Sequence, residues 1–317
     1  MNDQILITSE FAQDVLTGLK SNPKTLSSKY FYDEIGDSIF QEIMNLDEYY
    51  LTRSEFEILE TYQDEILNLF NAGTTQFNLV EFGAGDGYKT KVLLECFLNK
   101  GADFRYRPID ISGNVLQILE SSLEEEFPGL QVEGIQNEYM KALKQLDGGD
   151  VRSVVLFLGS NIGNFEHEQA LAFLHGLYDG LNDGDLVFIG FDLKKDPDTI
   201  LNAYNDKSGV TRNFNLNLLT RINRELNADF DLASFKHFPT YDPVTGTTTS
   251  YLISERQQVV TIMDEKVTFD AWEPIHMEIS QKYSMRDIEG MAKQTGFQVV
   301  RNFYDNDKNY CNSVWRK

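Results

Sequence analysis

Leu79-Val80-Glu81-Phe82-Gly83-Ala84-Gly85-Asp86-Gly87-Tyr88-Lys89-Thr90 is the stretch from which the rest of the chain can be read. An apolar run carrying one acid passes through three alternating glycines. It then continues into the helical pattern Val92-Leu93-Leu94-Glu95-Cys96-Phe97-Leu98. The order is strand, tight turn, helix. Glycine suits such a turn because it tolerates positive φ and lets a ligand approach bare backbone. The spacing is G-x-G-x-G preceded by Glu81, not the G-x-G-x-x-G that cradles a dinucleotide pyrophosphate. Glu81 places a negative charge where a phosphate would sit, so the turn favours an uncharged or cationic nucleoside. A glycine-rich strand–helix turn also occurs in α/β chains with other ligands, and this stretch alone leaves that alternative open.

Working outward, the chain from Gln76 alternates strand and helix. The patterns predict strands over Asn78–Phe82, Phe104–Ile109, Leu130–Ile135, Val154–Leu158 and Leu186–Phe191, with helices over Ser112–Glu126 and Glu166–Leu181. Such alternation implies a parallel sheet covered on both faces, with ligands at the carboxyl ends of its strands. The residues after each strand are therefore the candidates. Asp110 follows strand two, about 25 residues past the glycine turn, and suits either the two ribose hydroxyls of a nucleoside or a helix cap at Ser112. Asn137-Glu138-Tyr139 follows strand three and offers contacts to an adenine amino group and ring. Leu158-Gly159-Ser160-Asn161-Ile162-Gly163-Asn164 follows strand four, with glycines and amides placed beside reacting atoms.

On either side of this region the rhythm changes. Before it, Ser9 caps a helix with Phe11, Val15, Leu16 and Leu19 on its apolar face, and a second helix follows Asp37. Thr52 or Ser54 caps a third, through Phe56, Leu59, Ile66 and Phe70. Tyrosines crowd the interval from Tyr30 to Tyr50, and buried tyrosines need partners for their hydroxyls, which points to a polar-lined pocket. After strand five come two helices within Asp196–Asn227 and short β patterns from Phe235 to Ser280. A helix over Ser284–Thr295 and strands over Phe297–Tyr304 and Cys311–Arg316 return the chain to the sheet.

Composition narrows the function classes. The 317 residues are 41% hydrophobic and carry a net charge of −22 from 28 basic and 50 acidic side chains. That much negative charge repels phosphate backbones, which argues against a nucleic-acid partner. Apolar runs fall short of the roughly 18 residues needed to cross a bilayer, and the start lacks a signal-peptide layout. Cys96 and Cys311 read as inert buried thiols, and the scattered histidines give no metal-ligand spacing. The expectation is a cytoplasmic, monomeric protein with a small-molecule substrate, no membrane partner and no metal.

The glycine turn resembles motif I of the class I S-adenosylmethionine (SAM) methyltransferases. Further stretches resemble one family among them, the SAM-dependent histidine Nα-methyltransferases of ergothioneine biosynthesis. These are Tyr30-Phe31-Tyr32-Asp33 with Gly36, Glu48-Tyr49-Tyr50-Leu51-Thr52-Arg53, Phe157 to Asn164, Ala203-Tyr204 to Asn217, Ile222-Asn223-Arg224-Glu225-Leu226, and Glu278-Ile279-Ser280. The resemblance implies an α/β class I methyltransferase fold, Rossmann-like, with a mostly parallel seven-stranded sheet. That SAM-binding domain would span 60–194 plus 284–317, and a smaller α+β substrate-binding domain 1–59 plus 195–283. It assigns SAM to Gly83, Lys89, Asp110, Glu138, Tyr139, Gly159 and Ser160. It assigns the amino acid's α-amino and carboxylate end to Tyr49, Asn164 and Tyr204, with Tyr32 and Phe40 nearby, and the imidazole to Glu278 and Ser280. Catalytic roles fall to Tyr49, Asn164 and Tyr32. Two positions depart from the family pattern: Glu138-Tyr139 stands where Asp-Phe is commoner, and Ser250 where a Met is expected.

Chemistry supports the last pair independently. Glu278 and Ser280 are two apart, so on a strand they share a face. An imidazole offers one donor and one acceptor, which a carboxylate beside a hydroxyl matches. A solvent-facing Glu278 on an edge strand is the competing reading. Other amino-acid substrates, an NAD-dependent oxidoreductase (which needs the missing G-x-G-x-x-G) and a non-catalytic binding protein are the rival functions.

Overall fold

The computed structural model describes residues 2–143 and 151–317, with side chains from Glu10 onward. The chain forms two compact units, each discontinuous in sequence. One runs up to Tyr49 and resumes over Asp196–Ser280; the other comprises Tyr50–Lys195 and Gln281–Lys317.

The second unit is built on seven strands: β1 (Gln76–Phe82), β2 (Asp103–Asp110), β3 (Ile135–Gln136), β4 (Arg152–Phe157), β5 (Leu186–Asp192), β6 (Gln298–Tyr304) and β7 (Tyr310–Arg316). Their order across the sheet is β6-β7-β5-β4-β1-β2-β3. The pairs β1–β2, β1–β4, β2–β3 and β4–β5 are parallel, whereas β7 runs antiparallel to both β5 and β6. This is the α/β, mostly parallel sheet expected from the alternating pattern. Alternate residues fill one face, with Val80 and Phe82, Val155 and Phe157, and Val187, Ile189 and Phe191 sharing a single core with Phe173 and Trp315. On the other face Phe77, Phe97, Phe104 and Phe188 gather around or beside Phe70. Every residue of β5 is buried, as a central strand covered by helices on both sides must be.

Two expectations fail locally. The third strand is not Leu130–Ile135 but only Ile135–Gln136, preceded by a single bridge from Val132 to Tyr106. The sheet edge there has one neighbour, and Gly134 interrupts the run. The long helix starts at Tyr50, so Thr52 and Ser54 lie inside it rather than capping it. Ser54 instead donates to the Asp305 carboxylate at 3.1 Å.

The first unit packs the helices Asn2–Lys20, Glu34–Met44, Pro197–Ala203 and Val210–Leu226 with a four-stranded sheet. Its strands lie in the order Lys24–Thr25, Pro274–Gln281, Thr247–Ser254, Phe235–Asp242. A hairpin, Gln258–Ile262 with Glu265–Phe269, completes it. Thr247–Ser254 alternates half-buried and buried residues, the signature of a sheet with one face on a core. That core joins Phe11, Val15 and Leu19 to Phe214, Leu218, Ile222, Leu252, Ile275 and Met277, so both chain segments of the unit are needed to close it.

Candidate active site

In the sheet-bearing unit the turn after β1 holds Gly83, Gly85 and Gly87 at φ of 72°, 57° and 70°. A Cβ at Gly83 would collide with the Tyr139 hydroxyl and the Asn161 amide, so only glycine lets these two side chains come this close to the turn. Glu81 does not face the ligand side of the turn as expected. It is buried beneath the turn, accepting from Thr90 Oγ1 at 2.6 Å and from the Tyr106 hydroxyl. Burial pushes its carboxyl up to about 7.

Asp110 closes the other side of the turn. Its two oxygens accept the Gly85 N–H and the Ser112 N–H, each at 3.0 Å. The cap of the following helix falls to Ser112, whose hydroxyl accepts from the Val115 N–H. Burial raises the Asp110 carboxyl even against its backbone donors. Tyr139 packs edge-on against Phe82 and Phe157, with its hydroxyl at Gly83. Glu138 precedes it and pairs with Lys141 at 3.1 Å.

Beyond β4 the chain makes a left-handed pair, Gly159 (φ 72°) and Ser160 (φ 56°), and enters a 3-10 turn over Asn161–Asn164. Glu55 ties this turn to the glycine loop. The fully buried carboxylate pairs with Lys89 and accepts the Gly159 N–H at 2.8 Å. The Asn312 amide and the Tyr310 hydroxyl donate to its other oxygen at 2.9 and 3.1 Å. Sequence reading passed over Glu55. The signal was an acid within the apolar stripe Leu51, Ile58, Leu59 of a helix, where an unpartnered charge could not be buried. Gly83, Lys89, Asp110, Tyr139, Gly159 and Ser160 thus form one linked rim at the carboxyl ends of β1, β2 and β4, with Glu138 beside it and Asn164 at the end of the 3-10 turn.

Ser160 leads to a second buried cluster. Its hydroxyl accepts the Asp192 N–H at 3.1 Å. The Asp192 carboxylate, wholly buried at the end of β5, accepts from the Tyr50 hydroxyl at 2.9 Å and pairs with Lys282 at 2.8 Å and with Lys195. Burial alone would raise its pKa, but Lys282 and Lys195 hold it below the usual carboxylate range.

The remaining candidates lie in the other unit. The Tyr204 hydroxyl donates to Ser280 Oγ at 2.7 Å. Glu278 accepts from Ser250 Oγ at 3.2 Å. Their strand has a neighbour on each side, the one at Lys24–Thr25 pairing only with Ile275 and His276, and Glu278 is half-buried rather than solvent-facing. Ile275, Met277 and Ile279 point into the core, leaving half-buried Glu278 and buried Ser280 on the opposite face. Tyr32, Phe40 and Tyr49 make an aromatic group: Phe40 stands edge-on to Tyr32 at 5.7 Å and to Tyr49 at 6.3 Å, and Phe214 packs against Tyr32 and Phe40. Of the expected amino-acid contacts, only Asn164 belongs to the sheet-bearing unit.

Comparison with known proteins adds the following. A family model described as histidine-specific methyltransferase, SAM-dependent, matches residues 11–317. The histidine N-alpha-methyltransferase of Mycobacterium tuberculosis (strain CDC 1551 / Oshkosh) is 34% identical over 291 residues, 91% of this chain and 89% of that protein. That of Mycolicibacterium smegmatis is 35% identical over 288 residues, 90% of this chain and 88% of that protein. Ergothioneine biosynthesis protein 1 of Schizosaccharomyces pombe is 30% identical over 302 residues, 92% of this chain but 39% of that longer protein.

Proposed function

The chain belongs to the SAM-dependent, histidine-specific methyltransferase family, and from that premise we propose that it methylates the α-amino group of L-histidine, three times, to give hercynine. The observation that carries the substrate is the polar pair on the strand Pro274–Gln281: a carboxylate, Glu278, and a hydroxyl, Ser280, on one face, each hydrogen-bonded by a neighbour. An imidazole presents one N–H and one lone pair, and this pair answers both. A site built on such partners rejects a side chain that leaves them unpaired. Ser250, standing where a Met was expected, adds a hydroxyl donor to Glu278 and so makes this wall more polar.

The rim at β1, β2 and β4 fits SAM. Gly83 keeps bare backbone at the turn where Tyr139 and Asn161 approach it, Asp110 is a half-buried acceptor for ribose hydroxyls, Glu138 and Tyr139 offer an acceptor and a ring for adenine, and Lys89 with the Gly159-Ser160 turn suits the methionine end. Bound SAM supplies an electrophilic methyl group on a sulfonium. The residues of the chain orient the amine and exclude water. We assign the α-amino and carboxylate end of histidine to Tyr49, Tyr204 and Asn164. Tyr49 or Tyr32, directly or through water, is the first relay for the proton the amine must lose before it can act as a nucleophile, and passes it on to solvent. The rings of Tyr32, Phe40 and Tyr49 favour the growing methylammonium through their faces. Alignment and a preorganised polar site account for the rate, and no covalent enzyme intermediate is required.

In this proposal the unit containing Glu278 is the substrate-binding domain and the sheet-bearing unit the SAM domain, in a cytoplasmic monomer. Among the described residues no helix is long and apolar enough to cross a membrane. Mass spectrometry of a reaction with SAM and a panel of amino acids tests the reading. Mono-, di- and trimethylated histidine should appear in succession. Faster turnover of tryptophan or phenylalanine would remove histidine as the substrate, and no methylated product at all would remove the enzyme.

A further inference from the structure

The chain passes between its two units at Tyr49/Tyr50, Lys195/Asp196 and Ser280/Gln281. Within the sheet-bearing unit, the residues one, one and two places from these passages are Tyr50, Lys195 and Lys282, and all three engage the same buried carboxylate. The Tyr50 hydroxyl lies 2.9 Å from both Asp192 oxygens, Lys195 pairs with Asp192 while donating to the Tyr50 oxygen at 2.7 Å, and Lys282 reaches Asp192 Oδ2 at 2.8 Å. The backbone repeats the pattern. Tyr283 donates to the Asp192 carbonyl at 2.9 Å, Lys194 donates to the Tyr283 carbonyl at 2.9 Å, and Leu193 bridges Tyr283 in parallel. Asp192 and Lys282 are wholly buried.

We propose that Asp192, with Tyr50, Lys195 and Lys282, is a positioning node that holds the backbone next to Tyr49 and next to Ser280, and thereby sets histidine affinity. The proposal rests on the reading above that Tyr49 and Ser280 touch the amino acid. Stability alone does not explain the arrangement. Burying two ammonium groups and a carboxylate carries a desolvation penalty that an apolar cluster of the same volume avoids. Directional charged hydrogen bonds, by contrast, fix geometry, and supporting shells of this kind decide whether binding groups stand where they must. Ser160 joins the node through the Asp192 N–H, so one residue registers the chain passages and the proposed SAM turn together.

The test is Tyr50→Phe in the full chain. The phenyl ring keeps its place against the Lys195 ammonium, 4.1 Å from the ring centre, and loses only the hydroxyl that bridges Lys195 and Asp192. Loss of a charge-assisted bond at this point should raise the KM for histidine about tenfold, with the Kd for S-adenosylhomocysteine changed less than about twofold. A merely structural role would lower the folded fraction, read as the stoichiometry of S-adenosylhomocysteine binding, and leave KM where it was; that result overturns the proposal. Equal losses of both affinities overturn it as well. Lys282→Met, which removes a different arm, should shift the same KM in the same direction. Tyr49→Phe and Ser280→Ala separate the failures. Wild-type histidine KM in these two sinks the assignment of substrate contacts and the node with it. A raised KM in these two with an unchanged one in Tyr50→Phe sinks the node alone.

Discussion

Glu278 and Asp110 show how the same functional group is prepared for different ligands. Glu278 is half-buried, with the Ser250 hydroxyl on one oxygen. Asp110 is clamped by two backbone N–H groups beside a turn of left-handed glycines. Glu278→Ala should therefore weaken histidine binding by about 10- to 100-fold, the range of a charged hydrogen bond, and leave S-adenosylhomocysteine binding unchanged. Isothermal titration calorimetry with each ligand separates the two effects. Gly83→Ala should act the other way. Its φ of 72° strains an alanine, and the new methyl meets Tyr139 and Asn161. The cost is at least about 1 kcal/mol in the backbone alone. Calorimetry should find S-adenosylhomocysteine affinity falling further than histidine affinity, with a lower Tm.

At the level of elements, the helix Met285–Gln294 carries a complete capping box. Ser284 Oγ accepts the Asp287 N–H at 3.2 Å, and the Asp287 carboxylate accepts the Ser284 N–H at 2.8 Å. Ser284→Ala should cost about 1 kcal/mol, seen as a lower urea midpoint, with kcat and KM unchanged. That helix was legible in the sequence because its start signal and its period lie within a dozen neighbouring residues. The glycine turn and the doubly buried strands β1, β4 and β5 were legible for the same reason. What escaped reading depends on partners distant in sequence. Gly134 is the local mark of the shortness of β3, while its other cause, a single neighbour in the sheet, is not written near it. The helix starts at Tyr50, whose hydroxyl reaches Asp192, and no pattern near Tyr50 announces that contact. In the candidate site the family pattern singled out Tyr204 and Ser280 for opposite ends of the amino acid, but not their hydrogen bond to each other, and the role of Glu55 in joining Lys89 to Gly159 escaped it too, because its four partners come from three other parts of the chain.

For the molecule as a whole, two carboxyls set opposite pH trends in separate windows. Glu81 is raised by burial from 4.5 to about 7. Between those values the unfolded chain loses the proton that the folded chain keeps, so stability falls as pH rises through the window and levels above it. Urea unfolding at about pH 5 and about pH 8 should show this slope, and Glu81→Gln should flatten it. Asp206 goes the other way. Although burial pushes its carboxyl up, the Ser208 hydroxyl and the Thr211 and Val210 donors bring it down to about 2. Its contribution is present above the ordinary carboxylate range and is lost as pH falls toward 2, below the Glu81 window. The place of β7 has a consequence for how the protein is made. It lies between β5 and β6, yet more than a hundred residues separate Asp192 from Tyr310. At translation rates of about 5–20 residues per second, β5 emerges from the ribosome several seconds or more before the strand that covers its edge. During that interval a strand apolar but for its last residue, Asp192, offers its N–H and C=O groups to any nascent neighbour. Crowded polysomes are therefore where this chain is most exposed to misassembly, and slower synthesis lengthens the danger.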